Sequence, residues 1–297
     1  MRLAGAIDIG GTRTKIGVVR EDGSIVTHTS IATLPDGDTL VAAIATALRP
    51  MLDDMRVAGT LPVSVGVSVA GFLNPEHTRM FGNANLPTLC DYELRRELER
   101  ALGLDCVLEV DSNAATVAEY RFGAGRGSRR LLALTIGTGV GGGVILDGAL
   151  LRYTGECAGD LGHVIVSVEG RKCTCGATGC LEAMVCAAAL SERTGGMSVA
   201  EILRAAGVGE QRSRTALAEA GMWLGVGLAS LVSQFLPDRI VVGGGVGVAG
   251  DLLLGFARAS YHAYAPTALK DVAILGSAFD GWEGIVGAAS QALNPMG

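Results

Sequence analysis

Between Gly155 and Glu182 the chain reads GECAGDLGHVIVSVEGRKCTCGATGCLE, and no other stretch limits its folding as strongly. One histidine, His163, and three cysteines, Cys173, Cys175 and Cys180, fall within 18 residues. Core packing does not call for such a density of soft ligands, whereas a Cys₃His set is a standard tetrahedral zinc arrangement. Four protein ligands fill the coordination shell, so an ion held by them is structural rather than catalytic. The same stretch carries three acids able to face a polar ligand, Glu156, Asp160 and Glu182. What the metal holds in place is then the functional question.

A chain of 297 residues has room for two domains. Its net charge of −6 excludes a nucleic-acid footprint, and the short basic run Arg126, Arg129 and Arg130 reads as a solvated turn. At 4% aromatics it lacks a stacking platform for bases. The N-terminus, MRLAGAIDIGG, enters a strand at once, without the basic and apolar regions of a secretory signal. No apolar run reaches the ~18 residues of a spanning helix without a charge or glycine interruption. The expectation is a cytoplasmic protein with no membrane or nucleic-acid partner and with reduced thiols. Cys90, Cys106, Cys157 and Cys186 lie among apolar neighbours and read as ordinary buried residues.

Strand and helix signals alternate along the chain. Residues 3–9 and 15–20 are apolar runs around a Gly-Gly-Thr turn, the pattern of a β-hairpin, and 25–31 adds a third strand. Leu40, Ile44, Leu48 and Leu52 give residues 38–56 a helical period. Residues 62–69 alternate as a strand, 91–103 form a charged amphipathic helix with Gly103 at C′, and 106–110 form a short strand ending at Asp111. The second half restarts the pattern: 131–136 and 143–146 flank a glycine-rich turn. Aligning DIGGTRTKIGVV (8–19) with TIGTGVGGGVIL (135–146) suggests two related halves. Helices are expected over 198–206, 214–236, 250–262 and 280–293, with a buried strand at 239–243. The class is α/β.

The 44 glycines are clustered, which suggests backbone approaching a ligand. In the first turn, Gly10 and Gly11 free backbone N–H groups to converge on one spot, Thr12 and Thr14 add hydroxyls, and Lys15 adds a positive charge. Such a turn is an anion site, and Asp8 at the strand end can hold Mg²⁺ through water. The Walker A spacing is absent. A second turn, Gly137-Thr138-Gly139 followed by Gly141-Gly142-Gly143, repeats the offer, so that two turns could grip a nucleotide triphosphate. The strand that follows it excludes a dinucleotide-binding turn, which needs a helix there. Gly243, Gly244 and Gly245 suit either the nucleoside end of the ligand or close helix–strand packing. Asp111 caps a helix, serves as a base toward an attacking hydroxyl, or does both.

In order along the chain, DIGGTRTK, VAGF, NANLP, VDSNAA, TIGTGVGGG, AGDLGH, CTCGATGCLE and VVGGGV resemble the ROK family of bacterial sugar kinases. That resemblance implies the actin/hexokinase/Hsp70-like ATPase fold, with two α/β domains around an interdomain cleft. It divides the chain into a smaller domain of residues 1–112 with 281–297, and a larger one of 113–280 carrying the zinc motif. It implies ATP and Mg²⁺ at the two glycine turns, Asp111 as the catalytic base, and a structural Zn²⁺. By the same resemblance, sugar contacts fall on Gly71, Asn85, Asn113, Asp111, His163 and Glu182, with His163 shared between metal and sugar. A homodimer or homotetramer is also implied.

One position departs from that pattern. Family sugar kinases have Gly-Glu-x-Gly-His, whereas this chain has Gly159-Asp160-Leu161-Gly162-His163. Aspartate is one methylene shorter, so its carboxylate falls about 1.5 Å short. Either water bridges the gap or the substrate is not glucose; a cyclitol or other sugar-like polyol is the alternative to a hexose or N-acetylhexosamine. A regulator of the same family would carry a DNA-binding domain ahead of the first strand, and this chain begins at that strand. A non-catalytic sugar sensor would be expected to have lost Asp8, Lys15 or Asp111, and all three are present.

Overall fold

Apolar runs open the chain, and the computed structural model folds them as an antiparallel hairpin of β1 (Leu3–Ile9) and β2 (Arg13–Arg20), with Ile9 opposite Thr14. The structure describes residues 1–60, 62–82, 86–152 and 160–296, so Asn85, Glu156 and Cys157 lie outside the described residues. After the hairpin come β3 (Ile25–Ala32), α1 (Gly37–Val57), β4 (Pro62–Val69), β5 (Phe72–Leu73) and β6 (Met80–Gly82). Then follow α2 (Leu94–Leu102), β7 (Cys106–Val110) and α3 (Asp111–Phe122). The second half contains β8 (Leu131–Ile136), β9 (Val140–Leu146), β10 (Ala149–Leu150), α4 (Leu181–Val185), α5 (Ala187–Thr194), α6 (Val199–Gly207) and α7 (Gln211–Phe235). It continues with β11 (Arg239–Gly243), α8 (Gly244–Gly247), α9 (Asp251–Tyr264), β12 (Ala273–Gly276) and α10 (Glu283–Leu293).

Local chemistry sets many of these boundaries. Asp36 caps α1 by accepting the Thr39 N–H at 3.0 Å, and the leucine and isoleucine stripe of that helix is buried. Gly103 ends α2 in the left-handed region at φ 68°. Ser198 and Glu201 close a reciprocal capping box on α6. By length and composition α7 could cross a bilayer, but most of its apolar window is buried in the fold, as in a core helix.

The two main sheets share one plan. Their strand orders are β3-β2-β1-β4-β7 and β10-β9-β8-β11-β12. In each, a hairpin (β1–β2 or β8–β9) pairs antiparallel, and its first strand then pairs parallel with a later one (β4 or β11), which pairs parallel with the next (β7 or β12). The weak echo between residues 8–19 and 135–146 is therefore the sequence trace of a repeated sheet topology.

The chain divides into two compact units, Met1–Phe122 with Ala149–Ala158 and Trp282–Gly297, and Gly123–Gly148 with Gly159–Gly281. In the first unit α1 and α2 cover the sheet with Leu40, Ile44, Leu48, Leu94 and Leu98 in one buried cluster. The returning α10 packs on β1, β4, β7 and α3. Its approach to α3 is close enough that a Cβ on Gly287 would stand 1.7 Å from the Ala114 carbonyl oxygen, so only glycine fits. In the second unit α7 and α9 pack together and carry buried Leu224, Leu228, Leu253 and Tyr261. Cys106 and Cys186 are buried as expected, whereas Cys90 is only half-buried.

Candidate active site and metal centre

In the first unit β1, β4 and β7 run parallel and in register, with Ile9 level with Val69 and Val69 level with Val110. Their carboxyl ends release three candidate segments along one edge of the sheet: the turn from Gly10, the bend at Ala70–Gly71, and Asp111. Ligands in open α/β sheets bind beyond that edge. Gly71 takes φ 111°, which allows the chain to turn sharply there.

Asp8 is held from two sides. Ser68 Oγ donates to Oδ1 at 2.9 Å, and Lys15 Nζ lies 3.4 Å from Oδ2. The Trp282 ring lies 5.9 Å from the same ammonium. In the turn itself the Gly10 N–H donates to the Arg13 carbonyl at 3.2 Å, leaving Gly11 and Thr12 at an exposed tip. Thr14 is different, because it is fully buried and its hydroxyl lies 2.9 Å from Thr33 Oγ1. Thr33 donates its own proton to the Gly10 carbonyl at 2.8 Å, so Thr14 must be the donor. The structure thus has Thr14 bracing the turn from behind rather than standing at its tip.

Asp111 begins α3 and is half-buried, and its Oδ1 accepts the Ser112 N–H at 2.7 Å. Two residues on, Asn113 donates through Nδ2 to Glu109 Oε1 at 3.1 Å. Sequence reasoning missed Glu109, although a carboxylate in the middle of the apolar strand CVLEV was a visible signal. It also missed Glu283, the buried first residue of α10, whose carboxyl is pushed up by burial.

The second unit repeats the arrangement. Thr135 on β8 is level with Gly243 on β11, so the Gly137–Gly139 turn and Gly244–Gly245 leave adjacent strand ends. Thr138 and Gly245 are exposed, and nothing crowds Gly245. Gly244 has a packing role as well, since a Cβ there would meet the Ile136 carbonyl oxygen at 2.5 Å. Glu182, in the first turn of α4, joins this turn to the cysteine segment. Its Oε2 accepts the Val140 N–H at 2.9 Å, while Oε1 lies 3.4 Å from Thr174 Oγ1 and 3.7 Å from Cys173 Sγ.

His163, Cys173, Cys175 and Cys180 converge, with their ligand atoms all within 4.8 Å of one another. Zinc bonds of about 2.3 Å to sulfur and about 2.0 Å to nitrogen, at tetrahedral angles, put ligand atoms roughly 3.8 Å (S to S) and 3.5 Å (S to N) apart. The Cys175–Cys180 sulfur separation is 3.6 Å, and Cys173 Sγ lies 3.6 Å from His163 Nδ1. Donor set and spacing are therefore compatible with zinc. Burial pushes the Cys180 thiol up to about 12 and raises Cys173 as well, and a bound cation would favour the thiolates.

Asp160 sits directly behind this centre. Its Oδ1 accepts the Gly162 N–H at 3.2 Å, and Oδ2 lies 3.4 Å from His163 Nε2. Burial raises the Asp160 carboxyl, and the neighbouring imidazole opposes that shift. With Nδ1 turned to the cysteines and Nε2 to a carboxylate, the ring is oriented as metal-ligating histidines usually are.

Residues 4–294 match the family model described as the ROK family. The glucokinase of Streptomyces coelicolor is 34% identical, with the match covering 99% of each chain. The N-acetylmannosamine kinase of Yersinia pestis is 32% identical over 82% of this chain and 83% of that one. Among solved structures, a ROK family glucokinase from Streptomyces griseus in complex with glucose and AMPPNP gives a TM-score of 0.88 at 31% identity, covering 98% of this chain and 99% of that one.

Proposed function

We propose, for a chain that belongs to the ROK family and is an ATP-dependent carbohydrate kinase of the actin/hexokinase-like ATPase fold, that it phosphorylates a hydroxyl of a hexose or N-acetylhexosamine with Asp111 as general base. The observation that carries this reading is the shared edge of the first sheet, where the Gly10 turn, Gly71 and Asp111 leave the ends of three in-register parallel strands. A half-buried carboxylate and a glycine-rich turn suited to an anion thus leave the same end of one sheet.

The attacking hydroxyl loses its proton to Asp111 as the oxygen–phosphorus bond forms and the bond to the leaving ADP oxygen breaks. The Asp111 Oδ1 bond to the Ser112 N–H orients the carboxylate for that transfer. Gly11 and Thr12 are exposed in the first glycine turn and are assigned to phosphate groups, and the exposed Thr138 and Gly245 are assigned to phosphate or nucleoside groups. Asp8, steadied by Ser68 and Lys15, is the group suited to hold Mg²⁺, which would offset charge on the transferred phosphoryl group. Little covalent chemistry falls to the protein, so positioning and electrostatics carry the rate.

His163, Cys173, Cys175 and Cys180 would hold a structural Zn²⁺, which would fix the imidazole and the knuckle around it. Asn113, His163 and Glu182 are assigned to the sugar, as are Gly71 and Asn85, the latter outside the described residues. A second reading, a kinase for a cyclitol or related polyol, is favoured by Asp160. Its carboxylate is engaged by Gly162 and His163 and is shorter than the glutamate of family sugar kinases.

An ATP-coupled screen across hexoses, N-acetylhexosamines and cyclitols tests the proposal. Turnover of a hexose or N-acetylhexosamine well above all cyclitols supports the first reading, and the reverse order supports the second. ATP consumption with none of them would sink both.

A further inference from the structure

We propose that Glu109 is a positioning residue for the transfer reaction: it locks the Asn113 amide so that this side chain offers the substrate an acceptor only. The site then selects a hydroxyl that donates at that position. The inference rests on the reading of this chain as a sugar kinase with Asn113 among its sugar contacts, and it adds what that contact can recognise and which residue sets it.

Glu109 lies on β7 and is 1% exposed. A carboxylate buried to that degree is costly unless charge and hydrogen bonds answer it on every side. Here they do. Oε2 accepts from Gln291 Nε2 at 2.9 Å and pairs with Arg152 at 2.6 Å. Oε1 accepts the Val110 N–H at 3.0 Å and Asn113 Nδ2 at 3.1 Å. Three of these contacts are hydrogen bonds and the fourth, to Arg152, is an ion pair without hydrogen-bond geometry.

The partners are themselves held. Gln291 Oε1 accepts the Met296 N–H at 2.8 Å, which forces its Nε2 toward Glu109. The second terminal nitrogen of Arg152 donates to the Met296 carbonyl at 3.1 Å. Residues from β7, α10, the C-terminal segment and the stretch after β10 therefore fix one carboxylate in one orientation.

The consequence falls on Asn113. An isolated asparagine can turn its amide over and present either a donor or an acceptor. An ionised carboxylate only accepts, so turning Asn113 over would set oxygen against oxygen. Its Nδ2 is therefore committed to Glu109. Oδ1 is left on a half-buried side chain and takes no hydrogen bond from any described residue. A substrate hydroxyl can donate to that oxygen, whereas an ether oxygen or a carbon–fluorine bond cannot. A site built to hydrogen-bond one hydroxyl rejects analogues lacking it, because the site's polar group is left unpaired.

The test uses the sugar the enzyme accepts, together with its monodeoxy and monofluoro derivatives at each position, and compares kcat/KM. Asn113→Ala identifies the position that Asn113 reads, as the one whose deoxy penalty disappears. At that position the wild type is expected to reject deoxy and fluoro analogues alike, by about 100-fold. In Glu109→Gln the new amide can donate to Asn113, which lets that amide turn over. The fluoro analogue is then expected to recover by about 10-fold relative to the parent sugar, with ratios at the other positions unchanged. A purely structural role for Glu109 would lower kcat/KM for every analogue together and leave those ratios fixed, which would overturn the proposal. The fluoro measurement on the wild type needs no variant: a fluoro analogue used about 10-fold better than the deoxy one at that position would also overturn it. If Asp111→Asn retains turnover, the underlying kinase reading falls and takes this inference with it. If Asp111→Asn is inactive while the Glu109→Gln ratios stay fixed, only this inference falls.

Discussion

Replacing Cys175 by serine isolates the metal from the packing around it. Cys175 is the exposed member of the four-residue cluster, so serine leaves no cavity and the effect is that of a lost ligand. Its sulfur lies 3.6 Å from that of Cys180, as two ligands on one tetrahedral ion would. Changes to outer-shell partners already weaken metal sites by 10- to 100-fold, so losing a direct ligand should cost about 100-fold or more. By linkage a 100-fold loss removes about 2.7 kcal/mol of metal-dependent stability. For a unit of this size each kcal/mol moves Tm by about 2–4 °C, giving a fall of roughly 5–11 °C. The assay is elemental analysis with scanning calorimetry, with and without chelator. Wild type should carry about one zinc per chain and lose stability to the chelator. Cys175→Ser should carry little zinc and respond little, and Cys90→Ser, outside the cluster, should behave as wild type. Wild-type protein without zinc, or a Cys175→Ser variant that keeps it in full, would refute the geometric argument.

Two further substitutions probe the fold and the pocket. Gly287→Ala should destabilise by about 2 kcal/mol or more despite the better helix propensity of alanine, because its Cβ would stand 1.7 Å from a backbone oxygen of α3. A variant with unchanged or higher Tm would contradict the close approach of α10. Asp160→Glu should raise kcat/KM for glucose, by up to about 100-fold, by carrying the carboxylate about 1.5 Å further. Glucose kinetics equal to wild type would show that this position does not read the sugar.

Much of the architecture was legible because its signals are local. The apolar runs at 3–9 and 15–20 pair as expected, residues 62–69 and 239–243 form strands with the predicted bounds, and Gly103 ends α2. The Cys₃His cluster was legible from spacing, because short separations with turn glycines leave few ways to place four soft ligands apart. Helices α4 and α5 were not anticipated, and α10 starts at Glu283 rather than at residue 280. The contacts that escaped the sequence are long-range. Thr14 finds Thr33 across the β2–β3 pair, Glu182 reaches the Val140 N–H, and Glu109 meets both Arg152 and Gln291. No local periodicity encodes such pairings, so a side chain that looks available in sequence, as Thr14 does, can prove to be a buried brace. Glu109 shows the converse: its burial among apolar strand residues was itself the signal that partners must exist.

The central claim is that Asp111 removes the proton from the attacking hydroxyl. The most direct measurement is single-turnover phosphoryl transfer by Asp111→Asn with the best sugar from the screen, alongside ATP affinity measured on the same protein. General-base catalysis contributes about 10²- to 10⁴-fold, so transfer should fall by at least that range while ATP affinity stays near wild type. Transfer within about 10-fold of wild type would contradict the account.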